Sequence, residues 1–294
     1  MGARESLPLL LPLPPEATPE EREYEFAGRD FERVRKLIYE RAGISLSDHK
    51  VNMVYSRLSR RLRAHAISSF AEYLDRLESD AGFGAQEDQE FVNALTTNLT
   101  SFFREAHHFP VLEEFLRAHG EAPPRIWCAA ASTGEEPYSI AITMIEAAGN
   151  RPAGSLLASD IDTNVLTTAA RAAYRLEAAQ ACGDARLRRF FLRGKGANEG
   201  LVRVRPEATG LVRFAQVNLL DQDWPLVRGF AAQLDAVFCR NVMIYFDRAT
   251  QKAILSRIVQ VLRPGGLLFV GHSENFSDCH EALELRGKTV YLRK

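Results

Sequence analysis

RIWCAAASTGEEPYS, residues Arg125–Ser139, is the stretch that decides the fold. Its first half, Arg125–Ala131, is an apolar run of strand length. Ser132-Thr133-Gly134-Glu135-Glu136 follows, and a helix is predicted from Pro137 to about Ala148, with proline well placed in a first helical turn. The pattern recurs downstream. A strand over Ser155–Ser159 ends at Asp160, and a helix runs from Thr163 to Ala173. Strands at Val212–Gln216, Asp235–Cys239 and Leu267–Gly271 come later, with a helix over Arg248–Leu262 stopped by Arg263-Pro264-Gly265-Gly266. Strands alternating with helices predict an α/β fold, a mostly parallel sheet covered on both faces. Ala282–Leu285 and Thr289–Leu292, around Arg286-Gly287-Lys288, read as a closing hairpin.

Between Tyr174 and Leu211 the alternation breaks. A basic helix (Ala185–Leu192), a glycine-rich turn (Gly194–Gly200) and an alternating strand (Leu201–Arg205) predict a small β insertion at about 176–211. Upstream, Phe31, Val34, Leu37 and Ile38 recur at helical spacing, as do Val51, Val54, Leu58 and Leu62, then Phe70, Tyr73, Leu74 and Leu77. Asp80–Gln89 is expected to be a loop, with a helix resuming over Phe91–Leu95. The predicted organisation is a flexible tail over 1–26, an all-helical domain over 27–119 and an α/β domain over 120–294.

Composition narrows the function. The 294 residues are 46% hydrophobic, enough for one sizeable core or two modest ones, and 37 basic against 38 acidic residues give a net charge of -1. That balance does not recommend a nucleic-acid binder. Cys128, Cys182, Cys239 and Cys279 are dispersed, which suggests neither a zinc site nor a disulfide framework and makes a reducing cytoplasm the expected setting. Leu7–Leu13 is too short and proline-broken for a signal peptide or a membrane span.

An open parallel sheet binds ligands beyond the carboxyl ends of its strands. Here those ends carry small residues, a helix N-terminus and the carboxylates Glu135 and Asp160. Neither a G-x-G-x-x-G nor a G-x-x-x-x-G-K-[ST] pattern is present. Glu135 stands where a phosphate site avoids negative charge, so a cationic or amine-bearing nucleoside is expected, with Asp160 accepting from ribose hydroxyls.

Taken in order, AAASTGEEPYS, ASDID, VNLL, FCRNVMIYF and LRPGGLLFVGHSE resemble the class I methyltransferase fold, and more narrowly the chemotaxis receptor methyltransferase family, CheR. Thr97–Glu105 (TNLTSFFRE) is similar to that family's stretch between its helical and catalytic domains. The resemblance runs from about Phe26 to Lys294. It implies an S-adenosylmethionine-dependent protein-glutamate O-methyltransferase with S-adenosylhomocysteine as product and no metal. Cofactor contacts are implied for Asn98, Thr100, Arg104, Glu135, Asp160, Asn218, Leu219, Arg240 and Asn241, and Tyr245 is implied near the transferred methyl. The implied partner is the cytoplasmic helical region of chemotaxis receptors. The β insertion is further expected to dock a short peptide at the receptor C-terminus, against the alternative of a hairpin without a ligand.

A glutamate carboxylate, with pKa about 4.3, is ionised at neutral pH and needs no catalytic base. Positioning can then supply most of the catalysis. Arg104 is a candidate to orient the acceptor carboxylate through a bidentate fork, and it is equally suited to a helix-end ion pair. His107 and His108 invite a metal reading, but no third ligand is apparent, so they are taken as structural. His272 is expected to be hydrogen-bonded rather than catalytic. Arg57, Arg60, Arg61 and Arg63, with Lys50, form the densest basic cluster. It is either a solvated helix face or a docking surface for an acidic receptor. Two rivals stand beside this reading. A nucleic-acid methyltransferase lacks its usual [DN]-P-P-[YF] motif here, where the chain has Cys239-Arg240-Asn241-Val242-Met243. A non-catalytic adaptor would bind cofactor without transfer.

Overall fold

The computed structural model describes residues 22–120, 122–276 and 280–294. Most of the expected tail (residues 1–21) and Cys279 lie outside the described residues. Among the described residues, no helix is long and apolar enough to cross a membrane. The elements, in order, are α1 (Gly28–Ala42), α2 (Val51–Ala64), α3 (Phe70–Ser79), α4 (Ala81–Leu95), α5 (His108–Ala118), β1 (Arg125–Cys128), α6 (Glu135–Ala148), β2 (Ser155–Asp160), α7 (Thr163–Arg171), β3 (Ala173–Arg175), α8 (Leu176–Ala179), α9 (Asp184–Phe190), β4 (Phe191–Arg193), β5 (Leu201–Val204), α10 (Pro206–Thr209), β6 (Val212–Gln216), α11 (Pro225–Phe230), β7 (Leu234–Cys239), α12 (Arg248–Val261), β8 (Leu262–Val270), β9 (Leu283–Gly287) and β10 (Val290–Arg293). They form two compact units: residues up to Leu37 with Leu46–Leu95, and Ile38–Ser45 with Thr96–Lys294.

The first unit is helical. Val34, Val54, Leu58, Leu62, Phe70, Tyr73 and Leu74 are fully buried in it. The expected loop Asp80–Gln89 is instead helical. The Asp80 carboxylate accepts the backbone N–H groups of Gly82 and Phe83 at 3.0 and 3.1 Å, an N-cap that starts α4. Phe83 is buried, and its packing outweighs the low helix propensity of two glycines. The chain is also engaged earlier than residue 27. Arg22 Nη2 donates to Asn52 Oδ1 at 2.7 Å, and the Phe26 ring lies 4.4 Å from that of Phe70.

The second unit holds a seven-stranded sheet in the order β6-β2-β1-β7-β8-β10-β9. The first five of these strands are parallel, and β10 and β9 return antiparallel as the expected hairpin. Alternate residues face opposite layers. Ile126 and Cys128 enter one apolar cluster, Trp127 and Ala129 the other, so β1 is buried on both sides. Cys128 is in register with Ala158 and Phe238, which brings the carboxyl ends of β1, β2 and β7 level.

Three boundaries differ from the sequence reading. Phe109, Leu112 and Leu116 of α5 enter the same cluster as Ile140 and Met144 of α6, so α5 belongs to the sheet unit and not to a helical domain ending at 119. Glu135, not Pro137, begins α6. The insertion is a three-stranded antiparallel sheet, β3-β5-β4. It starts at Ala173, and the alternating strand Leu201–Val204 is its centre; the edges are β3 and β4.

Candidate functional site

Ser132, just past β1, has φ +47°, and its N–H donates to Asp160 Oδ2 at 2.8 Å while its hydroxyl donates to the Asn98 carbonyl at 2.9 Å. Gly134 has φ +100°, and a Cβ there would lie 2.6 Å from the Tyr174 hydroxyl, so only glycine fits this turn. The Tyr174 hydroxyl donates to the Thr133 carbonyl at 2.9 Å, which locks the loop. Glu135 Oε2 accepts from the Thr133 hydroxyl at 2.6 Å, and burial pushes its carboxyl up.

Asp160 closes β2. Burial pushes its carboxyl up to about 6, against the backbone N–H groups of Asp162 and Ser132 that bind it. The Val217 N–H donates to the Asp160 carbonyl at 3.1 Å and ties the β6 end to the same spot. Buried Asp162 accepts from the Thr96 hydroxyl at 2.7 Å and from Asn98 Nδ2 at 2.8 Å. Asp162 therefore places Asn98, a role not assigned from sequence although ASDID contains both aspartates.

At the β7 end, the Arg240 side chain is fully buried. Its Nη1 lies 3.0 Å from Glu136 and its Nη2 3.5 Å from Glu105. Nη2 also donates to the Arg104 carbonyl at 2.5 Å. Asn241 sits at φ +56°. Its N–H donates to Glu274 Oε2 at 2.9 Å and its Nδ2 to Glu105 Oε1 at 3.1 Å. Glu274 also accepts from Met243 and Gly271. Sequence reasoning missed Glu105, Glu136 and Glu274. The available signal was a carboxylate inside an otherwise apolar or small-residue motif.

The remaining candidates vary in their commitments. Half-buried Arg104 donates Nη1 to the Leu99 carbonyl at 2.7 Å. Thr100 is half-buried. Asn218 turns inward, with Nδ2 on the Arg41 carbonyl at 2.7 Å and Oδ1 accepting Leu220 N–H at 3.0 Å, and Leu219 is buried. Tyr245 ends a short 3₁₀ turn (Met243–Tyr245), half-buried, and its carbonyl accepts Ser45 N–H at 2.8 Å. Hydrogen bonds thus bring Asn98, Ser132 and Asp160 together, and separately Arg104, Arg240 and Asn241.

Glu135 and Asp160 accept only hydroxyl or backbone N–H groups, and neither forms an ion pair with Lys or Arg among the described residues. Two under-neutralised carboxylates at the switch point suit a ligand carrying an ammonium and ribose hydroxyls. A metal suits the site less. Glu105 is the third potential ligand that the sequence reading of His107 and His108 lacked, the three offering atoms within 4.8 Å of one another. Arg240 already supplies the cation facing Glu105. His108 Nε2 lies 3.0 Å from the Lys288 carbonyl, and burial pushes this histidine down to about 4. His272 Nδ1 lies 3.1 Å from Glu105, a hydrogen-bonded position.

In the first unit the basic cluster on α2 is partly neutralised. The absence of acids between Lys50 and Ser69 does not leave Arg61 open. Its guanidinium donates to buried Glu87 of α4 at 2.8 and 2.6 Å. Arg63 pairs with Glu23 at 2.6 Å. Arg57 reaches the Ala94 carbonyl at 3.4 Å, and Arg60 is exposed. In the second unit, Arg171, Ala173, Leu192, Arg193, Val202 and Arg203 line an open groove of about 410 Å³ that takes in residues of β3, β5 and β4.

Residues 98–292 match the CheR methyltransferase, SAM binding domain, and residues 29–96 the CheR methyltransferase, all-alpha domain. The chain is 55% identical to the chemotaxis protein methyltransferase of Salmonella typhimurium over 263 residues, 89% of this chain and 88% of that one. It is 52% identical to chemotaxis protein methyltransferase 2 of Pseudomonas aeruginosa, over 92% of this chain and 95% of that one. It is 53% identical to the chemotaxis protein methyltransferase of Escherichia coli, over 89% of each. With its helical first unit and its α/β sheet closed by an antiparallel hairpin, this chain belongs to the CheR methyltransferase family.

Proposed function

We infer that the chain is an S-adenosylmethionine-dependent protein-glutamate O-methyltransferase acting on bacterial chemotaxis receptors. The observation that carries this reading is the pair Glu135 and Asp160, two carboxylates without a cationic partner among the described residues, in a chain of this family. When bound, S-adenosylmethionine supplies an activated methyl group. On the protein side, Glu135 meets the amine-bearing end and Asp160 the ribose hydroxyls. Asn98, Thr100, Arg104, Arg240 and Asn241 complete the pocket, and Asn218 and Leu219 border the adenine. Arg104 retains guanidinium N–H groups beyond the one held by Leu99, enough to orient an acceptor carboxylate. Tyr245 lies beside the transferred group. An acceptor glutamate is ionised at neutral pH, so no residue has to remove a proton. Transfer of a labelled methyl group to receptor glutamates tests this reading, and cofactor binding without transfer would contradict it.

For the receptor, exposed Arg60 is the member of the α2 cluster suited to an acidic helix, since Arg61 is committed to Glu87, Arg63 pairs with Glu23 and Arg57 reaches the Ala94 carbonyl. Converting Arg60 to Glu is expected to slow receptor methylation while S-adenosylhomocysteine affinity holds. Added salt should have the same effect, because exposed charges are screened beyond about 8 Å at physiological ionic strength. An equal loss of cofactor affinity would make α2 structural. Arg61→Glu should instead destabilise the unit, by setting a second carboxylate against buried Glu87 and leaving it only Tyr73 and His65 as partners.

The groove on the insertion sheet suits the acidic C-terminal peptide of a receptor. Its three arginines favour a carboxylate, and an edge strand accepts an incoming strand. Tethering raises local receptor concentration to the order of millimolar without changing the active site. Converting Arg193 and Arg203 to Glu should abolish the advantage of intact receptor over tail-truncated receptor. Equal losses on both substrates would contradict docking.

A further inference from the structure

We propose that Glu105 is a positioning residue for cofactor binding and transfer, joining the Thr97–Arg104 segment to the Arg240–Asn241 turn. The inference rests on the methyltransferase reading above and adds a residue to it. Three elements converge on this one carboxylate. It belongs to the segment that enters the second unit. Its Oε1 accepts Asn241 Nδ2 at 3.1 Å, from beyond β7. The same oxygen accepts the His272 N–H at 3.3 Å and faces His272 Nδ1 at 3.1 Å, from beyond β8. Its Oε2 lies 3.5 Å from Arg240 Nη2.

The backbone around it is held in a conformation that ordinary residues avoid. Phe103 and Glu105 have φ of +52° and +54°, on either side of Arg104, and Asn241 has φ +56°. Such positions persist only where surrounding contacts over-determine them, and they cluster at functional sites. The contacts are present: Phe103 N–H donates to the Ser139 hydroxyl at 2.9 Å, and Phe102 and Phe103 are buried. Arg240 Nη2 takes the Arg104 carbonyl at 2.5 Å, and Glu274 takes the Asn241 N–H at 2.9 Å. Glu105 closes this frame from the inside: beside the Arg240 bridge to the Arg104 carbonyl, its carboxylate reaches Asn241, Arg240 and His272. Arg104 and Asn241, the two residues it sets, are the ones assigned to acceptor and cofactor.

A merely structural ion pair would make the same contacts, so the test reads the coupling between Glu105 and Asn241. S-adenosylhomocysteine dissociation constants are measured by calorimetry for wild type, Glu105→Gln, Asn241→Ala and the double variant, with urea midpoints as a check on folding. If Glu105 acts through Asn241, each single change weakens binding about tenfold, and the double variant is no weaker than the worse single one. In receptor methylation, Glu105→Gln should also lower kcat, since misplacement by about 1 Å can cost up to 10²-fold. Two results overturn the proposal: multiplicative losses in the double variant, or a Glu105→Gln protein that is less stable yet binds and turns over like wild type. If Glu105→Gln does not fold, Glu105→Asp replaces it; the shorter acid keeps the charge and should show the same non-additivity. Wild type that binds no S-adenosylhomocysteine would instead remove the underlying methyltransferase reading.

Discussion

Replacing Arg240 with alanine is expected to destabilise the second unit by about 3–5 kcal/mol, the typical cost of breaking a buried ion pair from one side. The Arg240 side chain is 0% exposed, between Glu136 (8%) and Glu105 (10%). Removing the guanidinium leaves two carboxyls in a low-dielectric site, and it frees the Arg104 carbonyl from its donor. Urea unfolding followed by the fluorescence of Trp127 and Trp224 would report the loss as a shifted midpoint at constant slope. A change below about 1 kcal/mol would contradict the buried network, because exposed pairs contribute that little. The acid limb of stability gives the same network a sign. Burial raises the Glu105 carboxyl, but Arg240, His272 and Asn241 outweigh it and hold it at about 2. Its folded value lies below the ordinary 4.5, so this contribution is present above pH 4.5 and is lost as pH falls toward 2. The Arg240→Ala protein should lack most of that limb.

Asp160→Ala is expected to weaken S-adenosylhomocysteine binding by roughly 10- to 150-fold, the loss of a charge-assisted hydrogen bond worth about 1.5–3 kcal/mol. Part of the effect is indirect, since Asp160 also holds the Ser132 and Asp162 N–H groups and so the shape of the first loop. The pH dependence separates ligand contact from loop shape. Burial raises the Asp160 carboxyl from 3.8 to about 6, so the folded state resists its ionisation. For stability, the group contributes most below pH 3.8, and that contribution is lost as pH rises through about 6. For binding the sign reverses, because the ionised form is the better acceptor for ribose hydroxyls. Affinity should rise about tenfold between pH 5 and pH 7. Asp160→Asn keeps an acceptor but should lose this step. A step that survives in Asp160→Asn would assign the titration to another group.

The sheet and its order of elements were legible because parallel strands buried on both faces leave unbroken apolar runs, as in Arg125–Ala131 and Asp235–Cys239. Glu135 and Asp160 stood out by their place at strand ends, whereas the other candidate cofactor residues came only from motif resemblance, since spacing alone cannot show which strand ends lie level. What escaped was long-range. Glu87 pairs with Arg61 from 26 residues away, so the α2 cluster read as an unopposed basic face. Glu105, 135 residues before Arg240 in the chain, carried no local sign of its partner. The α4 helix was hidden by two glycines whose cost is offset by the Asp80 cap and the burial of Phe83. β3 has three residues, too few for a period to register, and without it nothing in the sequence put the Leu201–Val204 strand at the centre of its sheet.

The most direct test is methyl transfer itself. The protein is incubated with methyl-labelled S-adenosylmethionine and receptor-rich membranes, the receptors are digested, and the label is mapped. Label is expected on receptor glutamate side chains, released as methanol by mild base because carboxyl methyl esters hydrolyse readily, and at least about tenfold less label when Asp160→Ala protein is used at limiting cofactor. Cofactor binding with no transfer, or base-stable label on nucleic acid or on other side chains, would contradict it.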